Sequence, residues 1–351
     1  MGLTRTPLFA THVAAGAQFG EVDGWLLPAQ FRTVEEEAAE ARRGAVLFDL
    51  ADHGVLDLIG PDARRFANGM FTNNIRDLAV GACNRSAMGD EKAKLQGLLS
   101  VARVGEGALL VVLDGVPAAD FVARYEKFIL FDDVELSDRS EDRVVVHLAG
   151  PGGAEVLAGV GLPAPSLGQA LAAAELWLLG RDRGGVGGVD IVVPTSAVTE
   201  LWAALKAAGA GIGGSEALEA LRVRSGRVRW PVDMGERALV HEMRLVEECC
   251  SFTKGCYIGQ EVINRIDVMG QVAKKIWGIR MVEDAIPPVG AEVKLKDDVV
   301  GSTRSGAREG GVARVLAVLR KAAWQPGMVV EVVAAGRTVQ GVVEDLPFAG
   351  G

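Results

Sequence analysis

Cysteine is scarce in this chain: Cys83, Cys249, Cys250 and Cys256 are the only four among 351 residues. They are too few and too unevenly spaced for a disulfide scaffold, so a reducing, cytoplasmic setting is expected. Long apolar runs are also missing. No run reaches the roughly 20 residues that span a bilayer, and the first residues hold no apolar signal core. Positive charge is in deficit too, with 37 Lys and Arg against 46 Asp and Glu and a net charge of −9. That balance argues against a broad phosphate-tracking face and against direct nucleic-acid binding, while leaving room for a local basic channel.

What the chain does contain is glycine, at 45 positions, which implies many tight turns and a sheet-rich topology. Its length exceeds the usual size of one hydrophobic core, so two or three domains are expected. An internal echo organises the first two. Val55-Leu56-Asp57-Leu58-Ile59-Gly60-Pro61 returns as Val145-Val146-His147-Leu148-Ala149-Gly150-Pro151, the prolines 90 positions apart. Both copies predict a strand, a Gly-Pro corner and a helix with Pro near its first turn. A further strand and an amphipathic helix follow in each. The first pair is Leu109 to Asp114 with the stripe Phe121, Val122, Tyr125, Phe128 and Ile129. The second is Val189 to Val193 with Val198, Leu201, Trp202 and Leu205. This order is the split βαβ pattern of ferredoxin-like units, and the fold class is α+β.

From about Gln271 the texture changes to short β-rich runs punctuated by Gly290, Gly301, Gly311, Gly327 and Gly336, the pattern of a small antiparallel barrel. The expected domains are therefore 1–140, 141–270 and 271–351.

The stretch Lys254-Gly255-Cys256-Tyr257-Ile258-Gly259-Gln260-Glu261, followed by Arg265, sets a thiol among polar and charged residues that cores avoid. Two readings of Cys256 stand. It is a thiol activated by the nearby cations Lys254 and Arg265, or a small residue buried in a turn. Cys249, Cys250, Cys256 and His241 match no metal-ligand spacing, and no metal is expected. Gly184-Gly185-Val186-Gly187-Gly188 lacks the Lys-Ser/Thr of a phosphate loop and predicts a hairpin turn. Asp90-Glu91-Lys92-Ala93-Lys94 reads as a solvated turn or as a ligand-contacting hairpin. On a helix predicted over 216–229, Arg222 is the arginine most directed inward, between Leu221 and Val223.

The segment from Ser251 to Glu261 resembles the signature of the YgfZ-type folate-binding proteins, within the superfamily of the glycine-cleavage T-protein. Asp90-Glu91-Lys92-Ala93-Lys94 resembles that family's Asp-x-Lys-Gly-Lys loop, with Ala93 in place of glycine. Asp23-Gly24-Trp25, Leu47-Phe48-Asp49 and Phe71-Thr72-Asn73 resemble the T-protein's N-terminal landmarks. The resemblance covers essentially the whole chain. It implies a T-protein fold with a central channel that binds tetrahydrofolate or a one-carbon derivative, lined by Arg222, Asp90, Lys92, Lys94 and Trp25. It further implies an accessory role in maturing or repairing iron–sulfur enzymes, with effects on tRNA modification through them. The implied partners are folate and iron–sulfur client or assembly proteins. Cys256 is then the focal thiol, with Lys254, Gln260, Glu261 and Arg265 around it. The paired aspartates that T-proteins use in aminomethyl transfer fall here on Gly97 and Leu98, and the pterin-gripping glutamate of their Gly-Glu-Asp-Gly hairpin is missing from Gly185 to Gly188. A folate-dependent one-carbon transferase or demethylase is thus the alternative, with Asp90 as the nearby acid or base. A noncatalytic client-docking module is the third reading.

Overall fold

The computed structural model describes residues 2–235, 237–334 and 336–348. Two antiparallel-dominated sheets and a barrel form the body. The first sheet runs Cys83–Gly89, Leu95–Gly105, Ala108–Asp114, Val55–Ile59 and Glu135–Asp138 in spatial order. The second runs Ala170–Ala173, Leu176–Gly180, Gly188–Pro194, Arg143–Ala149, Val46–Asp49 and Gly211–Ile212. The third is a closed barrel of six strands between Lys274 and Glu344, each within a residue or a few of a run seen in the sequence. Closure leaves the barrel without the exposed edges of an open sheet. Among the described residues no helix is long and apolar enough to cross a membrane.

The echo in the sequence is an echo in space. Strand Val55–Ile59 leads to helix Ala63–Met70, and strand Arg143–Ala149 leads to helix Gly153–Gly159. Both corners need glycine for the same reason. Gly60 has φ +145°, and a Cβ there would sit 2.1 Å from the Asp133 carbonyl oxygen. Gly150 has φ +111°, and its Cβ would sit 2.3 Å from the carbonyl oxygens of Ala41 and Gly44. Left-handed backbone and close approach of another chain segment are conditions only glycine meets cheaply.

One boundary differs from expectation. A cut at residue 140 leaves the first fifty residues in the first half, yet they pack on the second. Strand Val46–Asp49 pairs antiparallel with Arg143–Ala149 inside the second sheet. All four of its residues are buried, so it needs cover on both faces and finds it there. Leu8 and Leu27 join the core under that sheet with Trp202 and Leu205. Helix Val34–Arg43 begins with a reciprocal capping box between Thr33 and Glu36. It packs Ala38 and Ala41 against Ala217 and Leu221 of helix Ser215–Arg224. Its buried Glu37 accepts the Gly214 N–H at 2.8 Å, which fixes where helix Ser215–Arg224 starts. The expected helix over 216–229 ends at Arg224, and 225–229 turns away as a loop.

Gly60→Ala and Gly150→Ala should each destabilise the protein by roughly 2–4 kcal/mol, from backbone strain plus overpacking. Gly161 shares the left-handed backbone, at φ +72°, but has nothing within 4 Å of its Cβ position. Gly161→Ala should cost only about 1 kcal/mol. Urea midpoints of the three variants check the ordering; equal losses would show that conformation and not crowding sets the cost.

Candidate functional site

The two sheets meet across an apolar seam in which Leu50, Val55, Ala102, Leu110 and Val112 touch Val145, Ala170, Leu179 and Val192. Beside that seam opens a cavity of about 280 Å³. Six separate segments build its wall. The hairpin between Gln18–Val22 and Trp25–Gln30 supplies Asp23, and the turn after Val46–Asp49 supplies Asp52 and His53. The first sheet supplies Arg85, Leu98 and Asp114, and the hairpin after Leu176–Gly180 supplies Arg181 and Arg183. Helix Ser215–Arg224 brings Glu219 and Arg222, and the loop behind it brings Arg227 and Arg229.

Charge in this cavity is dense and ordered. Asp114, at the end of its strand, accepts from Arg183 at 2.9 Å and from Arg181 at 3.4 Å, with Arg85 at 3.7 Å. Burial alone would raise its pKa, but the three guanidiniums and His53 hold it well below the usual carboxylate range. Glu248 gathers Arg85 at 2.8 Å, Arg181 at 3.1 Å and Arg227 at 3.5 Å, and its pKa is lowered against the pull of burial. Arg183 continues to Asp190 through two 2.8 Å bonds, and Asp190 in turn holds the buried His147 at 2.8 Å. His53 lies between Asp52, at 3.1 Å from Nδ1, and Arg183, at 3.0 Å from Nε2.

Asp23 behaves differently. Its side chain is 31% exposed and meets one cation, Arg229 at 3.0 Å. Burial raises its pKa above the ordinary value, Arg229 opposes, and the Asp52 charge adds to the rise. With a raised pKa and a single arginine partner, it is the cavity carboxylate proposed below as the general acid or base. Arg85, Arg181 and Arg229 each retain a buried Nε–H with no partner among the described residues. Such donors suit an incoming acceptor.

The residues expected from the sequence separate into four places. Arg222 lines the cavity, but its guanidinium is spent on Glu219, on Asp233 at 2.6 Å and on the Arg227 carbonyl. Both carboxylates raise its pKa, so it is a permanent structural cation. Trp25 does not face the cavity; it packs beside the core under the second sheet. Asp90 and Lys92 line a second pocket instead, and the Lys94 ammonium donates to the Arg237 carbonyl at 3.1 Å. Leu98 does reach the cavity wall, where the resemblance puts an aspartate. Gly97 has no room for one, since a Cβ would lie 2.4 Å from Met88 Cε and 2.6 Å from Val116 Cγ2.

The Cys256 loop is also rearranged relative to expectation. Cys256 is exposed, which excludes the buried reading; the buried thiols are Cys83 and Cys249, the latter pushed up to about 12 by desolvation. Lys254 points inward, away from the solvent-facing thiol, and gives its protons to the carbonyls of Phe71 and, at 2.7 Å, Asn73. Its ammonium also lies 4.6 Å from the Tyr257 ring centroid. Gln260, Glu261 and Arg265 sit on helix Gln260–Met269, with Glu261 and Arg265 exposed. The loop is locked to the turn of Asp90 to Lys94. Gly259, at φ +81°, leaves only 2.7 Å between a Cβ and the Asp90 carbonyl. Ala93 takes φ +59°, the left-handed position where the family pattern has glycine.

Sequence reasoning missed Asp23, His53, Asp114, Arg181, Arg183 and Arg229. Arg181-Asp182-Arg183, directly before the glycine run, is the visible signal: a charged triplet on a hairpin whose strands are apolar.

An α+β body of two sheets around a charged cavity, with a closed barrel behind it, defines the T-protein fold. The chain belongs to the family described as the GCVT N-terminal domain, whose pattern matches residues 8–254. It is 26% identical over 366 residues to a probable aminomethyltransferase of Natronomonas pharaonis, covering 99% of both chains. It is 28% identical to an aminomethyltransferase of Symbiobacterium thermophilum, over 99% of this chain and 97% of that one. The glycine cleavage system aminomethyltransferase T from Bartonella henselae superposes with a TM-score of 0.91 at 22% identity, covering 99% of this chain and 98% of that one.

Burial lowers the Lys254 ammonium to about 7 from its ordinary 10.5. Between those values the unfolded chain binds more protons than the folded one, so stability rises with pH. From pH 7.5 to 9 the wild type should gain up to about 2 kcal/mol on Lys254→Met, which cannot titrate there. Denaturant titrations at both pH values measure it; parallel behaviour of the two proteins would show that the ammonium is not held down.

Proposed function

We propose that this protein carries out folate-dependent one-carbon transfer of the aminomethyl type in the central cavity. Two lines support the reading: full-length similarity to proteins named aminomethyltransferase, and a cavity whose partnerless donors suit a polar heterocycle with acceptor atoms. The observation that carries it is the pairing of Asp23 with Arg229 at the cavity wall, a half-shielded carboxylate with raised pKa beside a guanidinium that also lies 3.7 Å from Glu219. The reduced folate, when bound, supplies the nitrogen that accepts the one-carbon unit. The chain's own groups do the rest. Arg229 and Arg85 orient acceptor atoms, Leu98 and Leu27 give the ring an apolar wall, and Asp23 is the group that passes a proton to or from the reacting amine. Asp114 is directly across from Leu98 in the paired strands. It restores a negative charge to that wall, but as a fixed anion and not as a base. Asp90, the acid or base expected from the sequence, lies outside the cavity and has no part in this step.

A second reading, the YgfZ-type accessory role toward iron–sulfur proteins, draws on the exposed Cys256 thiol displayed by an internally anchored loop. There the folate site regulates or stabilises the protein, and the loop meets the client.

Calorimetry with tetrahydrofolate tests the ligand. Wild type should bind with micromolar affinity, and Arg229→Gln should weaken binding about tenfold, or about 1.4 kcal/mol. Asp23→Asn should leave binding within about threefold but lower turnover of an aminomethyl donor about a hundredfold or more. Absence of saturable heat would end the folate assignment. Tight binding with no turnover would move the conclusion to the accessory role, where Cys256→Ser should lower iron–sulfur enzyme activity in cells.

A further inference from the structure

A second pocket, about 240 Å³ in volume, lies between the turn of Asp90 to Lys94, the segment 124–128 and Ile258 of the Cys256 loop. It shares no lining residue with the central cavity. Arg124, Lys92 and Lys127 all face it, and none has a carboxylate within 4 Å among the described residues. Arg124 instead donates to the neutral Gln96 amide at 2.9 Å, and the Lys127 ammonium rests 5.4 Å from the Phe128 ring centroid. Two acids of the same turn, Asp90 and Glu91, also line the pocket, so its lining carries three cations against two carboxylates. One oxygen of Asp90 accepts the backbone N–H groups of Lys92 at 2.9 Å and Lys94 at 2.8 Å, and Glu91 is exposed.

The second observation is Tyr125. The residue is 1% exposed, lines this pocket, and its hydroxyl has no hydrogen-bond partner among the described residues. Its ring is wedged among Phe121 at 4.8 Å, Phe71 at 5.7 Å and Phe128 at 6.4 Å between centroids, so the hydroxyl cannot swing elsewhere for a partner. Burial pushes its ionisation upward, which keeps it a neutral O–H donor. A buried donor left unmade costs about 1–3 kcal/mol, and the three lining cations outnumber the two lining carboxylates.

We propose that this pocket binds a small oxyanion, bearing a phosphate or a carboxylate group, through the Tyr125 hydroxyl, Arg124, Lys92 and Lys127. Such a ligand supplies an acceptor for the hydroxyl and balances the excess positive charge together. Ile258, whose N–H is bonded to the Gly69 carbonyl at 3.1 Å, forms part of the wall, so the pocket adjoins the loop that displays Cys256.

Calorimetry on the full chain in low-salt buffer, with pyrophosphate and citrate as separate probes, tests this. One-to-one saturable binding of at least one probe is expected, and the tighter of the two identifies the phosphate or the carboxylate as the natural group. Lys127→Gln alters an exposed side chain and Tyr125→Phe keeps the ring, so folding is preserved; each should weaken binding five- to tenfold. Arg229→Gln, in the central cavity, should leave probe binding unchanged whether or not that cavity takes folate. Lack of saturation by both probes, or binding unaffected by Lys127→Gln and Tyr125→Phe, would overturn the site. So would loss of binding in Arg229→Gln.

Discussion

Asp114 is the point through which the two halves of this protein are joined electrostatically. It ends a strand of the first sheet, and two of the cations that meet it, Arg181 and Arg183, come from a hairpin of the second. Arg85, from the first sheet, leans on it from 3.7 Å and reaches Glu248 at 2.8 Å on the far side. Charges this buried are expensive to remove from water, and their mutual attraction repays the cost only when nearly every group is engaged. Here the anions are all engaged: Asp114, Glu248 and Asp190 share four arginines in a continuous chain that ends on His147, while Arg85 and Arg181 each keep an unbonded Nε–H among the described residues. The arrangement ties the relative placement of the two sheets to their charges, because a small slide would strand a guanidinium without its anion.

That constraint also decides which groups in the cavity remain chemically usable. Carboxylates held by several arginines are fixed anions; they shape the field and keep their charge through any reaction near neutral pH. Asp23 escapes because it sits on a hairpin that approaches from outside both sheets and meets only Arg229. Its neighbour Asp52 further discourages ionisation. The cavity thus combines an electrostatic frame of arginine-held carboxylates with Asp23, whose pKa burial raises. Leu98, at a position where a carboxylate would otherwise extend into the cavity, contributes an apolar wall. The strand beside it returns the lost negative charge through Asp114 in a form that cannot accept a proton readily.

Much of the fold was legible because its signals are local. Glycine before proline at 60 and 150 marks two corners where the backbone is left-handed and crowded. The apolar stripe around Trp202 marks a helix, and evenly spaced glycines mark the barrel turns. What was not legible depends on distance in sequence. Nothing in Val46-Leu47-Phe48-Asp49 says which sheet it joins; full burial of every residue says only that both faces are covered. The cavity arginines come from segments up to some 140 positions apart, and each alone looks like an ordinary surface charge. Arg222 was picked out correctly as inward, yet its direction did not reveal that Glu219, one turn back on the same helix, and Asp233 would consume it. Lys254 shows the converse error. Adjacency to Cys256 suggested a shared task, whereas the backbone sends one side chain to the carbonyls of Phe71 and Asn73 and the other to solvent.

The same inward turn of Lys254 explains how an exposed thiol can be held in place. A loop rich in glycine would normally sample many conformations, and an exposed cysteine on it would have no defined direction. Three attachments prevent that. The Lys254 ammonium is clamped by two carbonyls, the Ile258 N–H by the Gly69 carbonyl, and Gly259 is pressed against the Asp90 carbonyl. Ala93 accepts a left-handed backbone, costing of order 1 kcal/mol against glycine, and in return its buried methyl joins the core that also holds Tyr257 and Ile263. The loop's two sides are therefore anchored to the interior, and only Gly255 and Cys256 stand free between them. A residue held this way is presented, not merely exposed. The anchoring turn, Asp90 to Lys94, is also a wall of the second pocket, so the loop that presents the thiol and the pocket share one support on the first sheet.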